Sequence, residues 1–289
     1  MAEIFGIVTG ALSVAALFNN CVDTFEYIQL GRHFGEDFQR CQLKLDVAKT
    51  RLGRWGEAAR VNNEARFATT SPTDRAVQNA QEILEDIAGC FEAARNKSRR
   101  YEARNNGHEL EVFQDSDMNP TFRRLHNRSR DITRQRQKAT GMAKKVAWAL
   151  YDGKSFERII DQISSWVDEL EKLFPIEAAQ RKLAIVEIED VDDELSLETL
   201  KNTARGIDPI MEDVVDIKLN TISGKNSAGH VNVEGSARFQ VGNVFLGKSF
   251  GHGLLINDRT SNSTETVWAR DECRVQIGNV YGGKGVWDN

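Results

Sequence analysis

The chain has 289 residues, with 38 Lys and Arg against 43 Asp and Glu and a net charge of −5. That length fits one large domain with an appendage, or two domains, and the acidic balance argues against a nucleic-acid binder, which would carry a basic domain. Five isolated histidines show no metal-ligand spacing, and four scattered cysteines (Cys21, Cys41, Cys90, Cys273) form no CxxC. No cofactor is expected, and a reduced cytoplasmic protein is the default reading.

Residues 4–22, IFGIVTGALSVAALFNNCV, contain no charge and lie between Glu3 and Asp23. Nineteen residues approach the ~20 needed to span a bilayer core. Ile4, Phe5, Ile7, Val8, Leu12, Val14, Leu17 and Phe18 supply apolar surface, and Gly6 and Gly10 form a GxxxG. No basic region precedes the run, so it is a poor signal peptide. Thr9, Ser13, Asn19 and Asn20 offset much of an insertion energy of roughly −4 kcal/mol summed over its strongly apolar residues. Two fates stay open: a buried core helix, or a helix that enters a bilayer once released.

Apolar residues then recur at helical spacing. Phe34, Phe38, Cys41, Leu45, Leu52 and Trp55 mark one helix, and Val77, Ala80, Leu84, Ile87 and Phe91 another. The second has a start signal in Ser71 as N-cap, Pro72 and Asp74. Phe156, Ile159, Ile163, Val167, Leu170 and Phe174 mark a third, with Ser155 as its cap and Pro175 beyond its end. Asp208-Pro209 opens a last short helix. Residues 110–113 alternate like a strand, enough for a small hairpin. Two charge blocks stand out: nine Lys or Arg and one acid over residues 123–145, and seven acids with no base over 187–198. They read as solvated helix faces that meet within the fold or across a dimer, or the basic one as a face drawn to anionic lipid.

Eleven of the 22 glycines lie after residue 222 and no proline follows Pro209, which places a boundary near 220. Beyond it the sequence is written twice at an offset of 36. Asn226/Asn262, Ser227/Ser263, Val231/Val267, Arg238/Arg274, Gln240/Gln276, Gly242/Gly278, Asn243/Asn279 and Val244/Val280 are identical. Ala237/Cys273, Phe239/Val275 and Val241/Ile277 are matched apolar pairs that alternate with polar residues. Such a repeat predicts two stacked copies with asparagine ladders. Two copies fall below the three needed for a stable solenoid, so the missing neighbours would come from other molecules. Glu234 should sit over Arg270. Two β-hairpins packed on the helical domain are the alternative. GGKG at 282–285 lacks the spacing of a P-loop, and Tyr281 and Trp287 are candidates to close an apolar pocket.

The paired NS…QVGN and NS…QIGN repeats, the ending GNVYGGKGVWDN and the opening FGIVTGAL…LFNNCVDTFEYIQLGR resemble the fungal HET-s/HET-S heterokaryon-incompatibility family over essentially the whole chain. The resemblance implies an all-α HeLo domain at 1–220 with a latent membrane-inserting N-terminal helix. It also implies a prion-forming domain at 221–289 with repeats at 226–246 and 262–282. That domain would be disordered as a monomer and a two-rung β-solenoid in an amyloid. The implied activity is cell death: amyloid templating by a related prion, or by an NLR-type receptor with a matching motif, releases the N-terminal helix into membrane lipids. The protein would then move from the cytoplasm to the plasma membrane. Departures from the family pattern are Gly229 facing Glu265, Ser236 facing Glu272, and Asp271 where a turn glycine is expected. A non-toxic prion or polymerising adaptor is the second functional reading. An enzyme is not expected, because no GxSxG, HExxH or GxGxxG occurs.

Overall fold

The computed structural model describes residues 12–105, 110–136, 147–222, 225–244 and 260–280. It divides into two compact units, residues 1–215 and 216–289. The first is mostly helical: α1 (Val14–Phe25), α2 (Phe38–Ala58), α3 (Ala65–Ala68), α4 (Arg75–Arg104), α5 (Pro120–Arg136), α6 (Gly153–Leu173), α7 (Glu177–Glu187), α8 (Glu194–Ala204) and α9 (Pro209–Ile222), the last running on past Val215.

α2 is the centre of this unit. Every residue from 45 to 56 is buried, although the stretch carries Asp46, Lys49, Thr50, Arg51 and Arg54. A helix surrounded on all sides must find a partner for each polar group it buries. Asp46 accepts from His126 at 2.8 Å, Lys49 pairs with Glu26, and Thr50 shares a hydrogen bond with Ser129 at 2.6 Å. Arg51 donates to Asp168, Glu171 and the Ile207 carbonyl. Arg54, fully buried, makes bidentate contacts to Glu187 at 2.9 and 2.8 Å and to Asp208 at 3.0 and 2.5 Å. Burial opposes the Arg54 charge, but the Asp208 and Glu187 carboxylates outweigh it and raise the guanidinium pKa. Burial, with Arg134 and Arg130 nearby, pulls the Lys49 amine down to about 8 despite Glu26.

The helix stripes of α2, α4 and α6 form the core: Leu52, Trp55, Val77, Leu84, Ile87, Phe91, Phe156, Ile163 and Leu170 are all essentially inaccessible. Two caps lie elsewhere than expected. Asp74, not Ser71, accepts from Ala76 and Val77 at the start of α4, and Asp152, not Ser155, caps α6. In each case several residues can cap, and the first turn that packs decides; Ser155 is instead buried against Asp152 at 2.6 Å. The expected hairpin at 110–113 is also corrected. Ile28–Leu30 (β1) pairs in parallel with Trp148–Leu150 (β2), and Val112 bridges Gly31. Gly31 is required there, since a Cβ would meet the Tyr151 ring. The two charge blocks do meet within the unit: Arg128 binds Asp190 at 2.6 Å, Arg136 binds Glu187 at 2.6 Å, and Arg124 binds Asp193.

Among the described residues of the second unit four strands form two pairs, β3 (Lys225–Val233) with β5 (Ser261–Ala269) and β4 (Arg238–Val241) with β6 (Arg274–Ile277). Both pairs are parallel. Strands adjacent in sequence do not pair, so the hairpin alternative is not the arrangement found.

Candidate functional site

Two regions carry the residues singled out by sequence. In the repeat unit the pairing is in register at 36: Asn226 lies on Asn262, Val231 on Val267, Phe239 on Val275 and Val241 on Ile277. The Asn226 Nδ2 donates to Asn262 Oδ1 at 2.9 Å, and Asn262 in turn donates to Asn243 Oδ1. Ala237 and Cys273 adjoin the second pair, linked by the Arg274 N–H bonding the Ala237 carbonyl at 2.9 Å; Ala237 is exposed. Asn243 and Asn279 follow glycines at the same turn of each copy, both with positive φ.

Gly242 and Gly278 sit at φ 63° and 72°, and a Cβ on Gly242 would run into both Asn226 and Asn262. The ladder thus occupies the space a side chain would need. Gly242→Ala should force the asparagines apart and add left-handed backbone strain of about 1 kcal/mol or more. Seeded fibril growth, followed by thioflavin fluorescence, should slow more than tenfold, and growth at the normal rate would remove the ladder from the assembly.

Sequence reasoning overlooked two features. Gln240 Nε2 donates to the Gly242 and Asn243 carbonyls at 3.0 and 2.6 Å, and Gln276 does the same to Gly278 and Asn279 at 3.1 and 2.8 Å. Their identity across the repeat was the available signal. Val233, 6% exposed, is buried although its partner Ala269 is not a matching residue. Asp271 takes the left-handed conformation of its counterpart Gly235, with φ 62° against 71°. Aspartate tolerates it better than most residues, and its carboxylate accepts the Gly235 N–H at 3.2 Å.

The expected pair of Glu234 and Arg270 is not joined in this structure. Both are exposed, and among the described residues no ion pair joins them. They lie just past the ends of β3 and β5, where the chain turns and side chains are no longer held in register. Glu265 is also exposed, and its Oε2 is 3.9 Å from His230 Nε2.

The N-terminal run is the second region. Ile4, Phe5, Gly6, Ile7, Val8 and Gly10 lie outside the described residues, as do Tyr281, Trp287 and the GGKG segment. Leu12 is half-buried and precedes the helix; Ser13 caps α1 through the Ala16 N–H at 3.3 Å. Val14, Leu17 and Phe18 are buried, with Cys21, Val22 and Phe25. Phe18 packs edge-on to Trp55 at 5.9 Å, over Gly56, where a Cβ would collide with its ring. Phe25 packs on Phe91 at 5.0 Å, and Asn19 bonds Asn62 at 2.7 Å. No helix among the described residues is long and apolar enough to cross a membrane.

Comparison with known proteins places both regions in context. Residues 6–200 match the HeLo family, described as prion-inhibition and propagation, and residues 218–282 match the family described as Het-s 218-289. Heterokaryon incompatibility protein s of Podospora anserina is 55% identical over the full 289 residues of both chains, and protein S of the same fungus is 54% identical over the same span. The solved HET-S N-terminal domain superposes with a TM-score of 0.74 at 56% identity, covering 76% of this chain and all of that one. A substituted HET-s N-terminal domain gives 0.72 at 55%, covering 73% and 100%.

Proposed function

The chain belongs to the HeLo family and carries the family's Het-s prion-forming segment, and from that premise we propose that it is a signalling-amyloid effector of heterokaryon incompatibility. The 221–289 segment templates on an existing amyloid as a two-rung β-solenoid, and this activates the 1–220 domain to insert residues 4–22 into the plasma membrane. The templating partners are its own fibrils, fibrils of related prions, or an NLR-type receptor with a matching motif.

The observation that carries the reading is an asymmetry between the two copies. Val231 and Val241 are 6% and 7% exposed, while their partners Val267 and Ile277 are 37% and 43% exposed. Among the described residues each strand pairs on one side alone. The second copy therefore ends in an apolar edge with open backbone groups, a template for another chain. A first copy from a second molecule, in the same register, would cover it and continue the asparagine ladder.

The membrane step is supported by magnitudes. Burial of Val14, Leu17, Phe18, Val22 and Phe25 stabilises the docked α1 by roughly 7–15 kcal/mol. That exceeds the roughly 4 kcal/mol available from insertion, so the helix stays docked until templating disturbs its contacts. The test adds preformed fibrils of the chain to full-length protein with dye-loaded liposomes. Seeding should release dye, and Leu12→Lys, at a cost of about 2.5–3.5 kcal/mol at the bilayer centre, should block release and leave fibril growth intact. Leu12 lies before the α1 cap and is only half-buried, so the bundle should tolerate the lysine; circular dichroism checks this. Fibril growth without leakage in the unsubstituted protein would favour the non-toxic prion or adaptor instead.

A further inference from the structure

The edge offered by the second copy has a charge pattern of its own. Glu265 on β5 projects into solvent opposite Gly229, and its Oε2 lies 3.9 Å from the imidazole Nε2 of the next residue of the first copy, His230. The other charges on these strands and their ends are Lys225, the first residue of β3, Glu234 just past its end and Arg270 just past the end of β5. At its own level in the first copy Glu265 faces Gly229, which carries no charge. If copies stack as proposed above, the β3 of the next molecule lies on the open edge of β5. Each Glu265 then stands between two imidazoles, one from its own chain and one from its neighbour.

We propose that this edge fits a second copy of the chain whose His230 is protonated, so that copy-on-copy stacking is selected by the imidazolium and tightens on acidification. The proposal rests on the stacked reading of the repeats. Histidine is the side chain whose charge ordinarily changes between pH 5 and 8. A stack that gains a His–Glu contact on each face binds protons more tightly than free chains do. By linkage it is favoured as pH falls and weakened as pH rises. Exposed pairs of this kind each shift an equilibrium by roughly one- to five-fold, and each added copy gains two.

Full-length protein is grown to its end point from its own fibril seeds at about pH 5.5 and about pH 7.5, which brackets the histidine range, and the residual soluble protein is measured. The unsubstituted chain should leave about three- to ten-fold less soluble protein at the lower pH. His230→Gln and Glu265→Gln should lose most of that difference. His230→Lys, charged at both pH values, should leave as little at the higher pH as the unsubstituted chain leaves at the lower. Loss of net charge near the isoelectric point of about 5.7 acts on every variant, and His33, His108, His126 and His252 remain in all of them. An unchanged pH response in His230→Gln would therefore overturn the proposal while leaving stacking intact. No seeded fibrils from any variant, or from the unsubstituted chain, would overturn the stacked reading itself.

Discussion

Proline at Val241 is expected to end templating while the helical unit stays folded. Val241 lies in β4, is 7% exposed, and accepts the Gly278 N–H at 2.7 Å. Proline removes one ladder donor and brings its ring against the neighbouring strand, so it is tolerated only at free edges. A loss of about 3 kcal/mol or more corresponds to more than a hundred-fold in seeded conversion. Ile277→Pro gives the sharper comparison. Within one molecule Ile277 sits on an edge strand and is 43% exposed, where proline should cost little. In a stack the same position is paired on both sides, and conversion should fail as completely as with Val241→Pro. Thioflavin growth curves from wild-type seeds measure this, with far-ultraviolet circular dichroism as the check on the helical unit. Normal conversion by Ile277→Pro would mean that the outer edge of β6 is not where the next molecule adds.

What the sequence disclosed, and what it hid, follows from the range of each interaction. The stripes of α4 and α6 could be read because an amphipathic helix writes its burial into a 3.6-residue period. The repeat could be read because stacking at an offset of 36 demands like residues at like positions, above all the asparagines and the turn glycines. α2 could not. Its Asp46, Lys49, Arg51 and Arg54 look like a solvated face, and they are buried because partners from α5, α6, α7, the loop before α9 and the chain beyond α1 surround them. Nothing local marks a charged residue as buried. The β1–β2 pair was hidden for the same reason, since Ile28 meets Trp148 across the sequence. The acidic and basic blocks were legible as blocks, while their pairing residue by residue, Arg128 with Asp190 and Arg136 with Glu187, needed the fold. The N-terminal run was legible as uncharged, but the start of α1 at Val14 was not. Ser13 caps it by accepting the Ala16 N–H, a role that the uncharged pattern around it does not mark.

Replacing Arg54 by methionine should be the most damaging single change in the helical unit. The guanidinium is fully buried and its two acids, Glu187 and Asp208, have side chains 2% and 1% exposed. Removing one member of a buried ion pair costs about 3–5 kcal/mol, because the charge left behind has no water to turn to. The damage should fall unequally. Glu187 keeps Arg136 at 2.6 Å, whereas Asp208 keeps the Met211 N–H at 3.1 Å and, as its remaining positive charge, the Arg51 guanidinium, with which it forms no ion pair. At about 2–4 °C per kcal/mol for a unit of this size, the melting temperature should fall by roughly 6–20 °C. Adding Asp208→Asn should recover a substantial part by discharging the stranded group, and adding Glu187→Gln should recover less. Thermal melts of the full chain by circular dichroism measure all three. A fall equivalent to less than about 1 kcal/mol, the scale of a solvated surface pair, would show that water reaches this network. The same proteins bear on the membrane step. Arg54 is adjacent in sequence to Trp55 and Gly56, which hold Phe18 of α1. If loosening of the helical unit is what frees residues 4–22, Arg54→Met should leak dye from liposomes without seeds, and the Asp208→Asn addition should suppress that leakage in step with its recovery of stability. Leakage that ignores the recovered stability would separate release of the N-terminus from the strength of the α2 network.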